Sequence, residues 1–169
     1  MRLLTVLVVT TNIFLMAEAL RGKVFKAPIA SPQERGYLAL LRTADRLEGK
    51  MAEWLKPHGL SPTQYNALRI LRGAGPDGLP CTEVGARMIS RDSDITRLVD
   101  RLEKRGLVAR SRGKKDRRVV RASITRAGLD VLRRLDQPVS EFVRGLMGNL
   151  SERSLQELVQ LLEEAVPQK

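Results

Sequence analysis

The sequence predicts a mainly α-helical protein with one short β-hairpin, and three features carry that prediction. Apolar residues recur at helical spacing in six segments between residues 34 and 166. Gly106 interrupts this pattern, and residues 107–112 and 118–125 then have the length and branched side chains of strands. A cationic stretch joins the two strands. A helix that runs into a hairpin with a cationic tip is typical of a winged helix-turn-helix domain, which places the helix in the major groove of DNA and the hairpin beside it.

The first predicted helix spans residues 34–56 and follows an extended arm over residues 23–33, which contains two prolines. Pro57 and Gly59 end this helix. Its apolar residues form one stripe, which comprises Tyr37, Leu38, Leu41, Ala44, Leu47, Met51, Trp54 and Leu55.

The second and third helices begin at polar residues that can cap them. Ser61-Pro62-Thr63-Gln64 predicts a capping box, in which the Ser61 and Gln64 side chains each bond to the other residue's backbone N–H. Glycines and a proline over residues 73–78 break the chain. Thr82 is the expected cap of a short third helix that extends through Met88.

The fourth helix, over residues 93–105, is the candidate recognition helix. Its apolar face comprises Ile95, Leu98, Val99 and Leu102. Gly106 suits the left-handed backbone position that follows a helix end.

The polar face of the fourth helix is expected to contact DNA. The first turns of a recognition helix reach base edges, which favours Ser93, Thr96 and Arg97. Arg97 can bond to guanine or hold a phosphate, and both roles stay open. Asp94 and Asp100 are expected to cap the helix or orient neighbouring arginines, although Asp100 and Arg101 can also form a solvated pair. The predicted DNA contacts on this helix are Ser93, Asp94, Thr96, Arg97 and Arg101.

Two further helices complete the prediction. Thr125 caps the fifth and Ser151 caps the sixth, whose inward residues are expected to be Leu155, Leu158, Val159, Leu162 and Val166. The first, fifth and sixth helices carry more apolar surface than a small winged domain buries. They are therefore predicted to pack against a second copy in a two-fold homodimer, with an internal bundle as the alternative. The predicted divisions are an apolar segment and arm at 1–33, a dimerisation helix at 34–57, the winged domain at 58–126 and dimerisation helices at 127–169.

The net charge of +11 predicts a polyanionic partner. The charge is local, because seven cations and one anion lie between residues 110 and 121, whereas anions outnumber cations after residue 134. Clustered cations are what phosphate neutralisation requires, although a solvated loop would show the same pattern.

The composition disfavours several other classes of function. Aromatic residues make up 4% of the chain, which argues against a stacking platform for single strands or RNA. One cysteine, Cys81, and one histidine, His58, exclude an internal disulfide and argue against metal clusters of cysteine or histidine. An enzyme would need a nucleophile, a base and a pocket, but His58 has no partner in the local sequence. No catalytic residue, cofactor or metal is predicted.

The N-terminal segment supports two interpretations. Arg2, an apolar run over residues 3–15 and Ala17-Glu18-Ala19 have the outline of a secretion signal. The run is too short and too polar for a confident membrane span. The protein is therefore either exported or membrane-tethered, or its natural start is Met16. The DNA-binding pattern favours Met16 and a cytoplasmic location, and we expect a chain that starts at Met16 to keep full DNA binding. An added apolar dimerisation segment is a third option.

From residue 34 to 166 the chain resembles the MarR family of bacterial transcription regulators. Gly106-Leu107-Val108 is followed after seven residues by Asp116-Arg117-Arg118 and after six more by Thr125-x-x-Gly128, and this spacing carries the resemblance. The run from Thr96 to Glu103 is similar to the family's recognition helix, and Ser61-Pro62-Thr63-Gln64-Tyr65 to its second-helix opening. The resemblance implies a dimer that represses, or less often activates, nearby promoters at a pseudo-palindromic operator. In many members a small, often phenolic or anionic ligand loosens DNA binding.

The resemblance also assigns roles in the hairpin. Asp116 is expected to brace it through a nearby arginine, while Arg117 or Arg118 enters the minor groove, where narrow stretches attract arginine. The remaining cations are expected to attract the DNA backbone, and they are Arg112, Lys114, Lys115 and Arg121.

Ligand and redox roles follow less directly. The resemblance places a pocket between the dimer helices and the DNA-binding lobe, where Tyr37, Trp54 and Tyr65 either line it or pack in the core. In peroxide-sensing relatives the reactive cysteine lies on the first helix, whereas Cys81 lies at the entry of the helix-turn-helix. Cys81 is expected to be a small, half-buried residue. A pKa lowered by a helix N-terminus would instead make it a redox sensor. A metal sensor of another winged-helix family is a further alternative, which the lack of clustered cysteine and histidine disfavours.

Overall fold

A computed structural model of the chain describes residues 31–89, 94–112 and 119–165. The described elements are α1 (Pro32–Leu55), a 3₁₀ turn (Lys56–His58), α2 (Pro62–Gly73), β1 (Leu79–Pro80), α3 (Cys81–Arg87), α4 (Ile95–Lys104), β2 (Val108–Arg112), β3 (Val120–Ile124), α5 (Arg126–Leu146) and α6 (Glu152–Glu164). The predicted N-terminal apolar segment and the proposed start at Met16 lie outside the described residues.

The chain divides into two compact units, residues 1–45 and 46–169, and α1 runs from one into the other. The predicted division by role into four segments stays a prediction.

In the first unit, the structure corrects the end of the predicted extended arm, because α1 already begins at Pro32. The Ser31 hydroxyl accepts the Glu34 N–H at 3.2 Å, and the Glu34 carboxylate accepts the Ser31 N–H at 2.7 Å. This is a capping box with proline in the first turn, the same arrangement that the sequence predicts at Ser61. Tyr37, Leu40 and Leu41, which follow on α1, are exposed.

In the second unit, the hydrophobic core forms between the end of α1, the helices α2 to α5 and the sheet. The predicted capping box of α2 is confirmed, since Ser61 accepts the Gln64 N–H at 3.2 Å and Gln64 accepts the Ser61 N–H at 3.1 Å. Thr82, however, lies inside α3 and does not cap it, because β1 runs straight into α3 at Pro80. The fully buried side chains of the core are Leu55, Leu68, Leu71, Val84, Val99, Leu102, Val108 and Leu132.

The sheet is antiparallel, has the strand order β1-β3-β2 and extends the predicted two-stranded wing. The β2–β3 hairpin pairs Val108 with Ile124 at one end and Arg112 with Val120 at the other. Strand β1 adds Leu79 opposite Ala122. Two residues are too short for a strand pattern in sequence, which is why β1 was not predicted. Gly78 allows the approach, since it has φ +60° and a Cβ there would overlap the Ala122 carbonyl.

The Thr125-x-x-Gly128 motif joins the base of the hairpin to α5. The Thr125 hydroxyl donates to the Gly106 carbonyl at 2.7 Å and accepts the Gly128 N–H at 3.1 Å, so the predicted cap is confirmed. The Thr125 N–H donates to the Leu107 carbonyl at 3.0 Å. Gly128 is buried against Leu107, and no side chain fits there. The motif therefore fixes where α5 begins relative to the hairpin.

The burial of the apolar residues of α6 differs from the prediction. Ser151 caps α6 as expected, accepting the Ser154 N–H at 3.1 Å. No residue of α6 is fully buried, however, and Val159 and Leu162 are exposed rather than inward. Val166 lies outside the described residues. Leu155 and Leu158 of the same stripe are partly buried, so the described residues of this chain cover the stripe only in part.

Candidate nucleic-acid interface

Helix α4 presents one apolar and one polar face, as the sequence predicts. Leu98, Val99 and Leu102 are buried, whereas Thr96, Arg97 and Arg101 are exposed. Burial of the apolar face fixes the rotation of the helix about its axis. The predicted DNA-contacting side chains of α4 therefore share the solvent-facing side.

Asp94 begins α4 and also holds Arg97. Its carboxylate accepts the Arg97 N–H at 3.2 Å and pairs with the Arg97 guanidinium at 3.1 Å. The expectation that Asp94 caps the helix and orients an arginine is confirmed. The pair is exposed, so it contributes little stability and exchanges readily for another anion. Ser93 lies outside the described residues.

The hairpin is held to α4 by Arg110, a residue that the sequence analysis counted only as a positive charge. Its guanidinium pairs with Asp100 and with Glu103, the latter at 2.6 Å, and its Nε donates to Glu103 at 2.7 Å. Its backbone N–H also donates to Glu103, at 3.2 Å. Asp100 therefore forms an ion pair with Arg110 of β2 rather than the alternative pair with Arg101. We call Asp100, Glu103 and Arg110 the clamp.

The contact between Glu103 and Arg110 shifts the pKa of both side chains. The hydrogen bond from Arg110 holds the pKa of the Glu103 carboxyl below its ordinary value. The hydrogen bond to Glu103 raises the pKa of Arg110 in turn. Both shifts favour the charged forms, so Glu103 and Arg110 face each other as an ion pair at neutral pH.

The remaining hairpin residues divide into three groups. Arg112 is exposed on β2, as expected of a DNA contact. Arg121 is partly buried and donates to the carbonyls of Asp77, at 3.2 Å, and Gly78, at 2.7 Å. It thereby ties β3 to the loop before β1, a structural role that the sequence did not predict. The predicted residues at the tip lie outside the described residues, and they are Lys114, Lys115, Asp116, Arg117 and Arg118.

The end of α4 is held by a second arginine that sequence reasoning missed. Arg105 donates to the Gly59 carbonyl at 2.7 Å and to Gln64 at 3.3 Å. Because Gln64 also belongs to the capping box of α2, the far end of α4 is attached to the start of α2. Arg105 directly precedes Gly106 and Arg110 follows it by four residues. A chain reversal at that glycine is the signal in the sequence that could have placed both arginines near the helix.

Cys81 is half-buried at the start of α3, as expected of a small structural residue. Burial raises the pKa of its thiol and outweighs the opposite effect of Arg110. A lowered pKa, on which the redox-sensor alternative depended, is therefore wrong, because desolvation disfavours the thiolate.

An open cavity of about 300 Å³ lies between the turn after α1 and α5, lined by His58, Val131, Arg134 and Leu135. The three aromatic residues suggested as a lining are not among these residues. Trp54 instead stacks on Phe142, with ring centroids 5.2 Å apart, and lies 4.8 Å from the His58 ring. Tyr65 is buried in the core.

Within residues 31–89, 94–112 and 119–165, no group of three or more metal-binding side chains occurs. None of the helices in that part of the chain is both long and apolar enough to cross a membrane.

Known proteins share this fold. The family model described as MarR family matches residues 60–120, which run from the end of the 3₁₀ turn to the start of β3. A solved MarR transcription factor from Planctomyces limnophilus is 40% identical, and the match covers 80% of this chain and 98% of that one with a TM-score of 0.63. The chain belongs to the MarR family.

Further relatives agree with this membership. The HTH-type transcriptional regulator MhqR of Bacillus subtilis is 27% identical over 75% of this chain and 86% of MhqR. A mutant MarR from Escherichia coli, solved in complex with operator DNA, is 23% identical over 86% of this chain and 100% of that one, with a TM-score of 0.70. At that identity the likeness supports the fold alone. Members of the MarR family are transcription factors, so the winged-helix fold and the non-enzymatic class predicted from the sequence are confirmed.

Proposed function

We propose that this MarR family member is a homodimeric repressor that binds duplex DNA through α4 and the β2–β3 hairpin. The observation that carries the proposal is the outward polar face of α4, with Thr96, Arg97 and Arg101 exposed beside the hairpin strand that bears Arg112. A helix of this kind reads base edges in the major groove while cations of the hairpin neutralise phosphates. The E. coli MarR complex, which has the same fold and holds operator DNA, supports the same use here.

The proposed dimer is supported by apolar surface at the chain's two ends. On the apolar stripe of α6, Val159 and Leu162 are exposed, and on α1 so are Tyr37, Leu40 and Leu41. Two such stripes are more than a stable monomer usually exposes, and pairing with a second copy would remove them from water. The same pairing would bring two copies of α4 to one duplex, which favours a pseudo-palindromic operator with half-sites about one helical turn apart.

The cavity beside α5 supports the proposed ligand. His58 and Arg134 supply cationic or hydrogen-bonding groups, while Val131 and Leu135 supply apolar walls. A small phenol or carboxylate has the matching chemistry, because its ring contacts the apolar side and its anionic oxygen contacts the guanidinium. We propose that such a molecule weakens DNA binding.

Paired substitutions test the DNA contacts. Arg97→Ala should relax sequence preference, whereas Arg112→Ala should weaken binding to every duplex and reduce the salt slope by about one unit. The measurement is equilibrium binding to a selected and a random duplex over a series of salt concentrations. Arg133→Ala is the matched control, because it also removes one charge but breaks only the pair with Asp130 within α5. Equal behaviour of all three variants would refute the assignment.

A further inference from the structure

We infer that Arg110 is a positioning residue that holds the hairpin to the recognition helix, so that contacts from α4 and from the wing form together. The inference rests on the proposed function and adds a specificity-determining element that does not itself touch DNA. The clamp residues Asp100, Glu103 and Arg110 carry it.

The geometry of the clamp restrains the strand in both position and direction. Glu103 bonds to the backbone N–H of Arg110 at 3.2 Å and to its Nε at 2.7 Å, so one carboxylate holds both the main chain and the side chain. Asp100, almost one turn earlier on α4, pairs with the same guanidinium. Because the planar Arg110 guanidinium pairs with two carboxylates on one face of α4, β2 can slide little along that helix.

Arg110 is the central residue of β2, between the end that follows α4 and the end that leads to the hairpin tip. Arg110 is paired with the buried Ala122, while Ser111 and Arg112 continue the strand toward the tip. A rotation of β2 about Arg110 would displace Ser111 and Arg112, and Arg112 would move farther because it lies farther from the pivot. The wing's reach into a groove is therefore set by a contact on the protein side of the interface.

The clamp also uses charge in a way that a phosphate contact does not. Arg110 faces two carboxylates of its own chain, so it contributes little net charge to the DNA surface. Its loss would leave two carboxylates unneutralised beside the interface, and repulsion alone would then weaken binding. Substitution of Glu103 avoids this problem because it makes the surface more positive.

Glu103→Gln therefore separates the two effects. By charge alone it should tighten binding to operator and random duplexes equally. If the clamp positions the hairpin, Glu103→Gln should also lower the ratio of operator affinity to random-duplex affinity by about tenfold, which is near the middle of the interaction energies measured between neighbouring residues. Affinity for the random duplex should stay equal or rise. Glu157→Gln is the matched control, because it removes the same charge from the exposed Arg153–Glu157 pair on α6. An unchanged ratio in Glu103→Gln would overturn the inference.

A double-mutant cycle gives the second readout. Arg97→Ala and Arg112→Ala are combined in the wild-type chain and in Glu103→Gln, and operator affinity is measured for each. We expect the two effects to depend on each other in the wild type and to multiply independently in Glu103→Gln. If Arg97→Ala and Arg112→Ala are equally coupled in both backgrounds, or independent in both, the positioning role of the clamp is contradicted.

Folding and DNA binding are checked separately. Far-UV circular dichroism confirms that Glu103→Gln is folded, and Arg110→Lys replaces it if it is not, since lysine keeps the charge but lacks the fork. A wild-type chain that binds no duplex would instead refute the proposed function itself. The two failures are therefore distinguishable.

Discussion

Gly128→Ala tests the attachment of α5 to the hairpin. Gly128 is the third residue of α5, and its N–H bonds to the Thr125 hydroxyl. A Cβ built there lies 2.7 Å from Ile124 Cγ1 and closer still to the Leu107 carbonyl oxygen, whereas real Cβ atoms essentially never approach below 3.0 Å. One of these neighbours is backbone, so a side-chain rotation cannot relieve the overlap.

The magnitude follows from two opposing effects. Replacing a helical glycine by alanine gains at most about 1 kcal/mol. Overpacking against a fixed neighbour costs roughly 1–3 kcal/mol, occasionally more, and two close contacts place this site at the upper end. We expect a net destabilisation of about 2 kcal/mol.

The assay is thermal unfolding followed by circular dichroism at one fixed protomer concentration, since the midpoint of the proposed dimer would depend on concentration. The loss corresponds to a fall in Tm of about 4–8 °C for a chain of this size. Gly145→Ala is the control on the same helix, because nothing lies within 4 Å of its added Cβ, and it should leave Tm unchanged or higher. A Gly128→Ala variant as stable as wild type would show that α5 does not pack on Leu107 as described.

Three further predictions use single sites. Cys81 should react with iodoacetamide more slowly than a peptide cysteine at neutral pH, because burial raises its pKa; equal rates would contradict this. The Glu103 carboxyl should titrate below its ordinary pKa of 4.5 by NMR, and in Arg110→Ala its pKa should rise. Because the pKa of Glu103 is lowered in the folded protein, its pair with Arg110 stabilises the fold above pH 4.5, and this stabilisation is lost as the pH falls through the pKa of the folded state. A difference in unfolding free energy between wild type and Arg110→Ala that persists in acid would contradict this prediction. Ser61→Ala should lower stability by about 1 kcal/mol in denaturant unfolding through loss of the α2 cap, and no loss would contradict that role.

Local patterns predicted most of the fold, because each helix start depends on residues within one turn. The capping residues Ser61, Thr125 and Ser151 were predicted correctly for this reason. The box at Ser31 has the same chemistry, but Pro28 and Pro32 led to an extended arm instead. Prolines favour both an extended segment and the first turn of a helix, so the capping partner Glu34 was the deciding signal.

Long-range contacts were the part that sequence could not supply. Arg110 and Arg121 look alike in a basic run, yet one bonds to carboxylates of α4 and the other to carbonyls of the loop before β1. Which cations remain available for DNA depends on those tertiary contacts, not on the local charge count. Cys81 is similar, since a helix N-terminus and burial act on its pKa in opposite directions and only packing decides between them.

We propose that two copies of this chain present two α4 helices to one duplex. Selection of duplexes from a random pool at physiological salt, followed by stoichiometry on the winning sequence by sedimentation, tests this most directly. We predict a two-fold-related motif with half-sites about one turn apart, bound by two chains. A single unrepeated half-site bound by one chain, or no enrichment of any duplex, would contradict the account.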